Sequence, residues 1–458
     1  MSIFYKPEDG FTGDFIPFWH DGKFRLFYLK DYRDEENHGQ GTPWFQLATT
    51  DFVNFEELGE ALPRGSVDEP DLFVYTGCVI EADGMFHIFY TGHNPHFPAR
   101  GKPQQAVMHA VSKNLKKWEK LPGDTFCADG SRYDRDNFRD PFVFYDGEQN
   151  KYFMLLVSRK KDSGSNAGFT ALYSSADLKS WQDEGDFWAP DMYHTHECPD
   201  LFKMGDWWYL IFSEYSARYV TRYVMSKSPF GPWTMPADDR LDGRAYYAAK
   251  SFSDGGARYL FGWIPTKCGD EDTGSWQWGG NLAVHQLIQR SDGTLGCKPP
   301  KLAQKAWGQP ALVAGKAAVE CVNGKKETLL LSNAPNAYKL DGEIKFSGGT
   351  KQFGIAFNQN FESKHGYKYE FFPAENCVRF DAVTELTNTK DLERPVVLKE
   401  GETVRFSLVV DNGLCVLYIN ENIALSSRMY KKAGNSISLF VVGGQAIAEN
   451  LVLMPGEF

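Results

Sequence analysis

One pattern recurs five times over residues 1–300, at a spacing of about sixty residues. Each copy opens with a tight turn, Asp-Gly or an equivalent. An aromatic-rich strand follows, then a second strand that closes on Asp-Leu, Asp-Phe or a similar pair, and a Trp or Phe. The first copy runs from Asp21-Gly22 through a strand over 24–28 to Asp51-Phe52. The second runs from Asp83-Gly84 to Asn114-Leu115 and Trp118, and the third from Asp146-Gly147 to Asp177-Leu178 and Trp181. The fourth starts at Gly205-Asp206 and ends at Trp233; the fifth and weakest starts at Gly256-Ala257 and has strands over 258–263 and 282–288. A small sheet built from one copy cannot bury both of its faces. Stacking copies around an axis buries them and leaves short edges only. The pattern therefore predicts an all-β chain with a five-bladed β-propeller over residues 1–300. The repeat stops near Lys298-Pro299-Pro300, and residues 301–325 read as a linker of mixed Ala and Lys. From 326 to 458 the chain alternates apolar and polar residues between turns, which predicts an antiparallel β-sandwich with a supporting role.

Three carboxylates stand at the mouths of strands in this pattern. Asp14 precedes Phe15-Ile16-Pro17, Asp140 lies in Arg139-Asp140-Pro141, and Glu197 lies in His196-Glu197-Cys198-Pro199. A closed circle of strands would bring them to one hollow. Glycoside cleavage needs two carboxyl groups with different tasks, about 5–5.5 Å apart where configuration is retained. Asp14, at the start of the first copy, suits a rigid nucleophile. Glu197, beside Cys198 and Pro199, is expected in an apolar setting that suits a proton donor. Asp140 is expected to be oriented and kept ionised by Arg139, ready to accept sugar hydroxyls and steady positive charge on the ring. Acids before strands also commonly do no more than cap turns. Asp71 and Asp200, each followed by Leu-Phe, show the same local pattern without a catalytic assignment.

Composition narrows the partners. The formal net charge of -11 argues against nucleic acid and anionic membrane surfaces. Aromatic residues make up 15% of the chain, as suits β-sheet and sugar-stacking surfaces. The eight cysteines form no CxxC pair and lie away from His at zinc spacing, so they are expected to be buried thiols in a reducing compartment. His93, His96, His194 and His196 follow no metal-ligand spacing. No metal, cofactor or membrane partner is expected. The start of the chain shows no signal-peptide pattern, and cytoplasmic location is the expectation. A homo-oligomer is compatible with all of this.

Arg139-Asp140-Pro141, Glu197-Cys198-Pro199-Asp200-Leu201-Phe202 and Tyr75-Thr76-Gly77-Cys78 resemble motifs of glycoside hydrolase family 32, the β-fructofuranosidases, which include invertases, inulinases, levanases and sucrose-6-phosphate hydrolases. Tyr90-Thr91-Gly92, the strand from Trp44 and Trp278-Gly279-Gly280 extend the resemblance, as do Val416–Asn420 and Ser427–Tyr430 near the C-terminus. It covers nearly the whole chain. It implies a propeller plus β-sandwich and cleavage of β-fructosides with retention. It also implies Asp14 as nucleophile, Asp140 as transition-state stabiliser and Glu197 as acid/base. Trp44, Thr76, Gly77, Arg139, His196 and Trp278 would form the sugar pocket. The implied substrates are sucrose, its phosphate and short fructo-oligosaccharides. Two departures stand out: Gly13-Asp14-Phe15-Ile16 replaces the core of the family's W-M-N-D-P-N-G motif with neither Asn, and His196 stands where Trp is usual. A bare Asp before a His-Asp-Gly strand also resembles the inverting pentosidases of family 43, which is the alternative reading beside a non-catalytic sugar-binding propeller.

Overall fold

The computed structural model describes residues 2–161, 163–383 and 392–458. It is all-β, with one short α-helix, Glu35–His38, and brief 3₁₀ turns among the described residues. In the first part of the chain every repeat is an antiparallel meander that begins with a leading strand. The five leading strands are Phe11–His20, Phe73–Ala82, Tyr133–Asp146, Thr195–Met204 and Tyr247–Ser253. The second, third and fourth repeats form separate sheets. The first and fifth share one eight-stranded sheet, because Trp276–Gln289 meets the first leading strand where Gly280 lies opposite Thr12. The leading strands pack on one another in order, first on second through to fifth, and the fifth packs back on the first. Their contacts therefore run in a circle.

The faces between repeats carry the core. Ile16, Phe27, Trp44, Ile88 and Tyr90 are buried together between the first and second repeats. Phe89, Met154, Leu156, Phe169 and Tyr173 are buried together between the second and third. The aromatic richness of the repeat is thus used to fill the space between sheets.

The closing Asp-Leu motif is a turn device. Asp51 Oδ1 accepts the amides of Val53 and Asn54 at 2.8 and 2.7 Å. Asn114 does the same for Lys116 and Lys117, and Asp177 for Lys179 and Ser180. The next residue in each case is left-handed: Phe52, Leu115 and Leu178 have φ of 59°, 60° and 61°. The side-chain cap repays the strain, and the bulky residue is turned inward to be buried. A sequence motif at this spacing is therefore a chain reversal repeated in register.

Beyond the repeats lie two six-stranded antiparallel sheets. The stretch 301–325, expected as a linker, contains strand Ala311–Glu320, which pairs along its length with the last strand, Gln445–Pro455. Its small, mostly exposed residues hide the alternation that marks the other strands. A single apolar cluster runs from Phe202, Tyr209 and Tyr246 of the repeats into Tyr338, Phe357 and Leu408 of the paired sheets, so the two parts share a core. Five cysteines are buried as expected, but Cys127 and Cys268 are exposed and Cys321 is half-buried. Among the described residues no helix is long and apolar enough to cross a membrane.

The junction is tied by a buried polar network. Asp242, fully buried, accepts from His285 Nε2 at 2.9 Å and from the Ser426 amide and hydroxyl at 2.8 and 2.6 Å. His285 Nδ1 meets the Tyr418 hydroxyl at 2.8 Å. Removing the shared acceptor strands several buried donors at once. Asp242→Ala is expected to cost about 2–4 kcal/mol in denaturant unfolding, with Asp242→Asn costing distinctly less; equal losses would show that the network adds nothing beyond packing.

Candidate active site

Every leading strand breaks its register at the same height. The pairing slips between Thr12 and Phe15, between Tyr75 and Gly77, across from Arg139 to Phe142, between Glu197 and Asp200, and between Tyr247 and Lys250. Asp140, Cys198 and Ala248 take left-handed φ of 56°, 54° and 53° at these bulges. A bulge bends the strand and re-aims a side chain that the pleat would otherwise send into the sheet face. Here the five bulges turn Asp14, Thr76, Asp140, Glu197 and Tyr247 into one cavity of about 720 Å³.

Hydrogen bonds fix the three acids against each other. The Cys198 amide donates to Asp140 Oδ2 at 3.0 Å, and the Cys198 thiol lies 3.6 Å from Asp14 Oδ2. Cys198 is also the residue after Glu197, so one buried residue touches two of the acids and is bonded to the third. Asp14 is further held by the Thr76 hydroxyl on Oδ2 and by Trp263 Nε1 on Oδ1 at 3.0 Å. Arg139 donates to Glu197 Oε1 at 2.9 Å, to Thr195 Oγ1 at 2.9 Å and to Asn137 Oδ1 at 3.1 Å. The Tyr247 hydroxyl donates to Glu197 Oε2 at 2.6 Å. The Asp140 amide donates to Thr91 Oγ1 at 2.7 Å.

This corrects three expectations. Arg139 forms its ion pair with Glu197 rather than with its sequence neighbour Asp140, although both line the same cavity. The surroundings of Glu197 are polar rather than apolar, with both oxygens accepting hydrogen bonds. Asp140 is not kept ionised as expected. Burial pushes it up from the ordinary 3.8 to about 7, against the pull of Arg139, and the Glu197 charge adds to the rise. Burial also raises Asp14, opposed by the hydrogen bonds from Thr76 and Trp263.

Asp14, Thr76, Arg139, Asp140, Glu197 and Trp278 all line the cavity. Trp44, Gly77 and His196 do not. Trp44 is buried between the first two sheets, with Nε1 on the Tyr75 carbonyl at 3.2 Å. At Gly77 a Cβ would lie 1.9 Å from the Phe89 carbonyl oxygen, so this glycine serves close strand approach. His196 is buried among Trp188, Tyr193 and Phe212, and burial lowers it to about 3. It therefore fills the aromatic slot behind the strand while Glu197 faces the cavity. His194, two residues earlier on the alternation, lines the cavity instead. Three cations suit a substrate phosphate by residue type, Arg218, Arg222 and Lys250: Lys250 is buried on the Pro199 carbonyl at 2.7 Å, Arg222 is buried against Glu214 and Asp239, and Arg218 is exposed but is not among the residues that line the cavity. Asp71 and Asp200 are structural: Asp71 takes Tyr90 and Lys120, and Asp200 takes Ser251.

Two further residues hold the acids, Trp263, which lies outside the quoted motifs, and Tyr247, whose place in Tyr246-Tyr247 suits sugar stacking. Both sit on the fifth repeat, opposite each other in register. The signal was there in the repeat itself: Thr91 and Ser213 hold the same place, at the mouth of the second strand across from a bulge. Gly13 serves the same wall. A Cβ there would lie 2.1 Å from Trp278 Cη2, so the residue before Asp14 must lack one for Trp278 to close over it. Among the described residues no group of three or more His, Cys, Asp or Glu is placed to hold a metal ion.

A pair of buried carboxyls beside a third, in an open cavity with an aromatic wall, is equipment for acid–base and nucleophilic attack on a polar, hydroxyl-rich molecule. Residues 5–299 match the model of the glycosyl hydrolases family 32 N-terminal domain. The chain is 23% identical to a levanbiose-producing levanase of Bacillus subtilis, covering 95% of this chain and 87% of that protein. It is 22% identical to a sucrose-6-phosphate hydrolase of Escherichia coli, covering 94% and 89%. Among solved structures, a sucrose-6-phosphate hydrolase from Lactobacillus gasseri superposes with a TM-score of 0.77 at 20% identity, covering all of this chain and 93% of that one. Fructan 1-exohydrolase IIa from Cichorium intybus does so with 0.79 at 16% identity, covering 99% and 96%. The protein is a glycosidase. It belongs to glycosyl hydrolase family 32.

The position of Asp140 has a stability consequence. Its folded value lies above its unfolded one, so the native state holds a proton that the unfolded chain has lost; stability from this group is present below about pH 4 and drains away as pH rises towards 7. Asp140→Asn is therefore expected to be more resistant to unfolding than the parent at pH 8, by about 1–2 kcal/mol, while losing activity. Denaturant midpoints at pH 5 and pH 8 read this directly, and a variant less stable than the parent at both values would contradict it.

Proposed function

We propose that this glycosidase releases terminal β-fructofuranosyl units from sucrose or short fructo-oligosaccharides, with retention of configuration. The observation that carries the reading is Cys198, which brings Asp14, Asp140 and Glu197 to one spot. The names of the relatives, levanase and sucrose-6-phosphate hydrolase, supply the sugar. Family membership favours this over a family 43-like pentosidase. The circle of leading-strand contacts supports a five-bladed β-propeller, and the two six-stranded sheets that follow support a β-sandwich beginning near residue 311.

In this reading Asp14 attacks the anomeric carbon. Thr76 and Trp263 hold one oxygen each, so the carboxylate is fixed in rotation before substrate arrives. Glu197 protonates the departing oxygen and later takes a proton from the water that breaks the covalent intermediate. Tyr247 and Arg139 hold its two oxygens, and Arg139 stabilises the carboxylate left after proton donation. Asp140 accepts sugar hydroxyls and faces the positive charge that grows on the ring. Burial holds Asp140 up at about 7, so it takes this role as a carboxylate above that pH.

Glu197→Gln is expected to lower kcat on sucrose by about 10²–10⁴-fold, and Asp14→Asn to form no covalent fructosyl adduct in acid-quenched mass spectra. Fructose released by the parent should appear first as the β-furanose in proton NMR; α-fructofuranose as the initial product would refute retention. The parent's kcat/KM should fall as pH drops below about 7, where Asp140 regains its proton and no longer meets the ring's growing charge as a carboxylate. A rate unchanged between pH 5 and pH 8 would remove Asp140 from that role.

A further inference from the structure

Charge in the cavity speaks to the leaving group. The ionisable groups that line it include five carboxylates: Asp14, Asp140 and Glu197 at the floor, and Asp31 and Asp136 nearer the mouth. Among the described residues that line it, the cations are Arg139 and Arg244. Both are already held by protein acceptors. Arg139 is bound to Glu197, Thr195 and Asn137. Arg244 donates to the carbonyls of Ala217 and Arg218 at 2.8 and 2.7 Å, and its guanidinium lies over Tyr219 at 4.9 Å. Arg33, just behind the wall, is spent on Asp31 and the Trp278 carbonyl and stacks on Phe11 at 3.9 Å. Asp136 is exposed and lines the cavity.

The rest of the wall is aromatic. Tyr215, Tyr219, Tyr247, Trp263 and Trp278 form a continuous arc, with successive ring centroids 5.2, 5.8, 5.6 and 6.0 Å apart. Its two ends, Tyr215 and Trp278, are each 40% exposed. Such a surface suits the apolar faces of uncharged sugar rings. A phosphate group at the same place would be stripped of water beside carboxylates, with guanidiniums turned to other partners.

We propose that the cavity selects fructosides whose leaving group is an unphosphorylated sugar, and that Asp136 at its rim is a specificity-determining residue that repels phosphate esters. This rests on the fructoside reading above and narrows it: relatives that are named for sucrose 6-phosphate share the fold but not, on this argument, the substrate.

The test is steady-state kinetics of the full-length protein on sucrose, 1-kestose and sucrose 6-phosphate. At low ionic strength kcat/KM is expected to be at least about tenfold higher for the better unphosphorylated substrate than for the phosphate ester, and the gap should narrow in about 0.5 M NaCl as exposed charges are screened. Asp136→Asn is expected to shift the ratio towards the ester by about threefold or more, mainly through KM. An ester cleaved as well as sucrose and 1-kestose would overturn the proposal while leaving the fructoside reading in place. So would a ratio that Asp136→Asn leaves unmoved. Fructose released from none of the three would overturn the fructoside reading itself, and this inference with it.

Discussion

The backbone amide of Cys198 on Asp140, with the Cys198 thiol against Asp14, is the contact on which the arrangement of the site depends. Three carboxyls in one cavity repel each other, and each alone prefers water. They can be kept together only by short donors that cannot swing away. A backbone N–H at a bulge is such a donor: its position is set by the sheet on either side, and the left-handed Cys198 gives it to Asp140 instead of to the ladder. The cost is local backbone strain and three desolvated acids. It is met by the wedges of aromatic core between the sheets and by the shared core with the C-terminal sheets.

The same logic explains why Arg139 turns to Glu197 and leaves Asp140 to a backbone donor. A guanidinium is a diffuse, permanent charge, and on Asp140 it would fix an ionised acid at the bottom of the cavity. On Glu197 it pairs with a carboxylate whose other oxygen accepts the Tyr247 hydroxyl. Asp140 is instead left high on the titration scale by burial, so the floor of the cavity carries less than its full formal charge near neutrality. The pairing thus distributes charge according to task, and the order of residues in Arg139-Asp140 does not reveal it.

How much of this was legible in the sequence follows from what each signal measures. The five copies and the three acids were visible because turn chemistry and aromatic strands repeat in plain residue identities, as Asp51, Asn114 and Asp177 show. The roles of Trp44, Gly77 and His196 were misjudged because a motif match carries a position but not a facing. One bulge separates a side chain in the cavity from one in the core, and at His196 the alternation sends the ring backwards. Trp263 and Tyr247 lay hidden in the weakest copy, whose leading strand precedes the turn from which the repeat was counted. Strand Ala311–Glu320 was read as linker because small exposed residues at a sheet edge give no alternation to see.

The segment around Asp14 shows what the circular packing makes possible. In the family pattern that Gly13-Asp14-Phe15-Ile16 replaces, asparagines next to the acid contact it. Here the donors to Asp14 come from three other repeats: Thr76 from the second, Cys198 from the fourth and Trp263 from the fifth. The local sequence is thereby relieved of its orienting duty, and Gly13 is free to serve Trp278 packing instead. The consequence is a different dependence. An acid held by its own loop survives a loosened neighbour, whereas one held from around the circle requires every leading strand to be seated. The shape of the cavity and the orientation of Asp14 are then one cooperative property of the packed strands, and the first-to-fifth sheet junction at Thr12 and Gly280 lies two residues from Asp14.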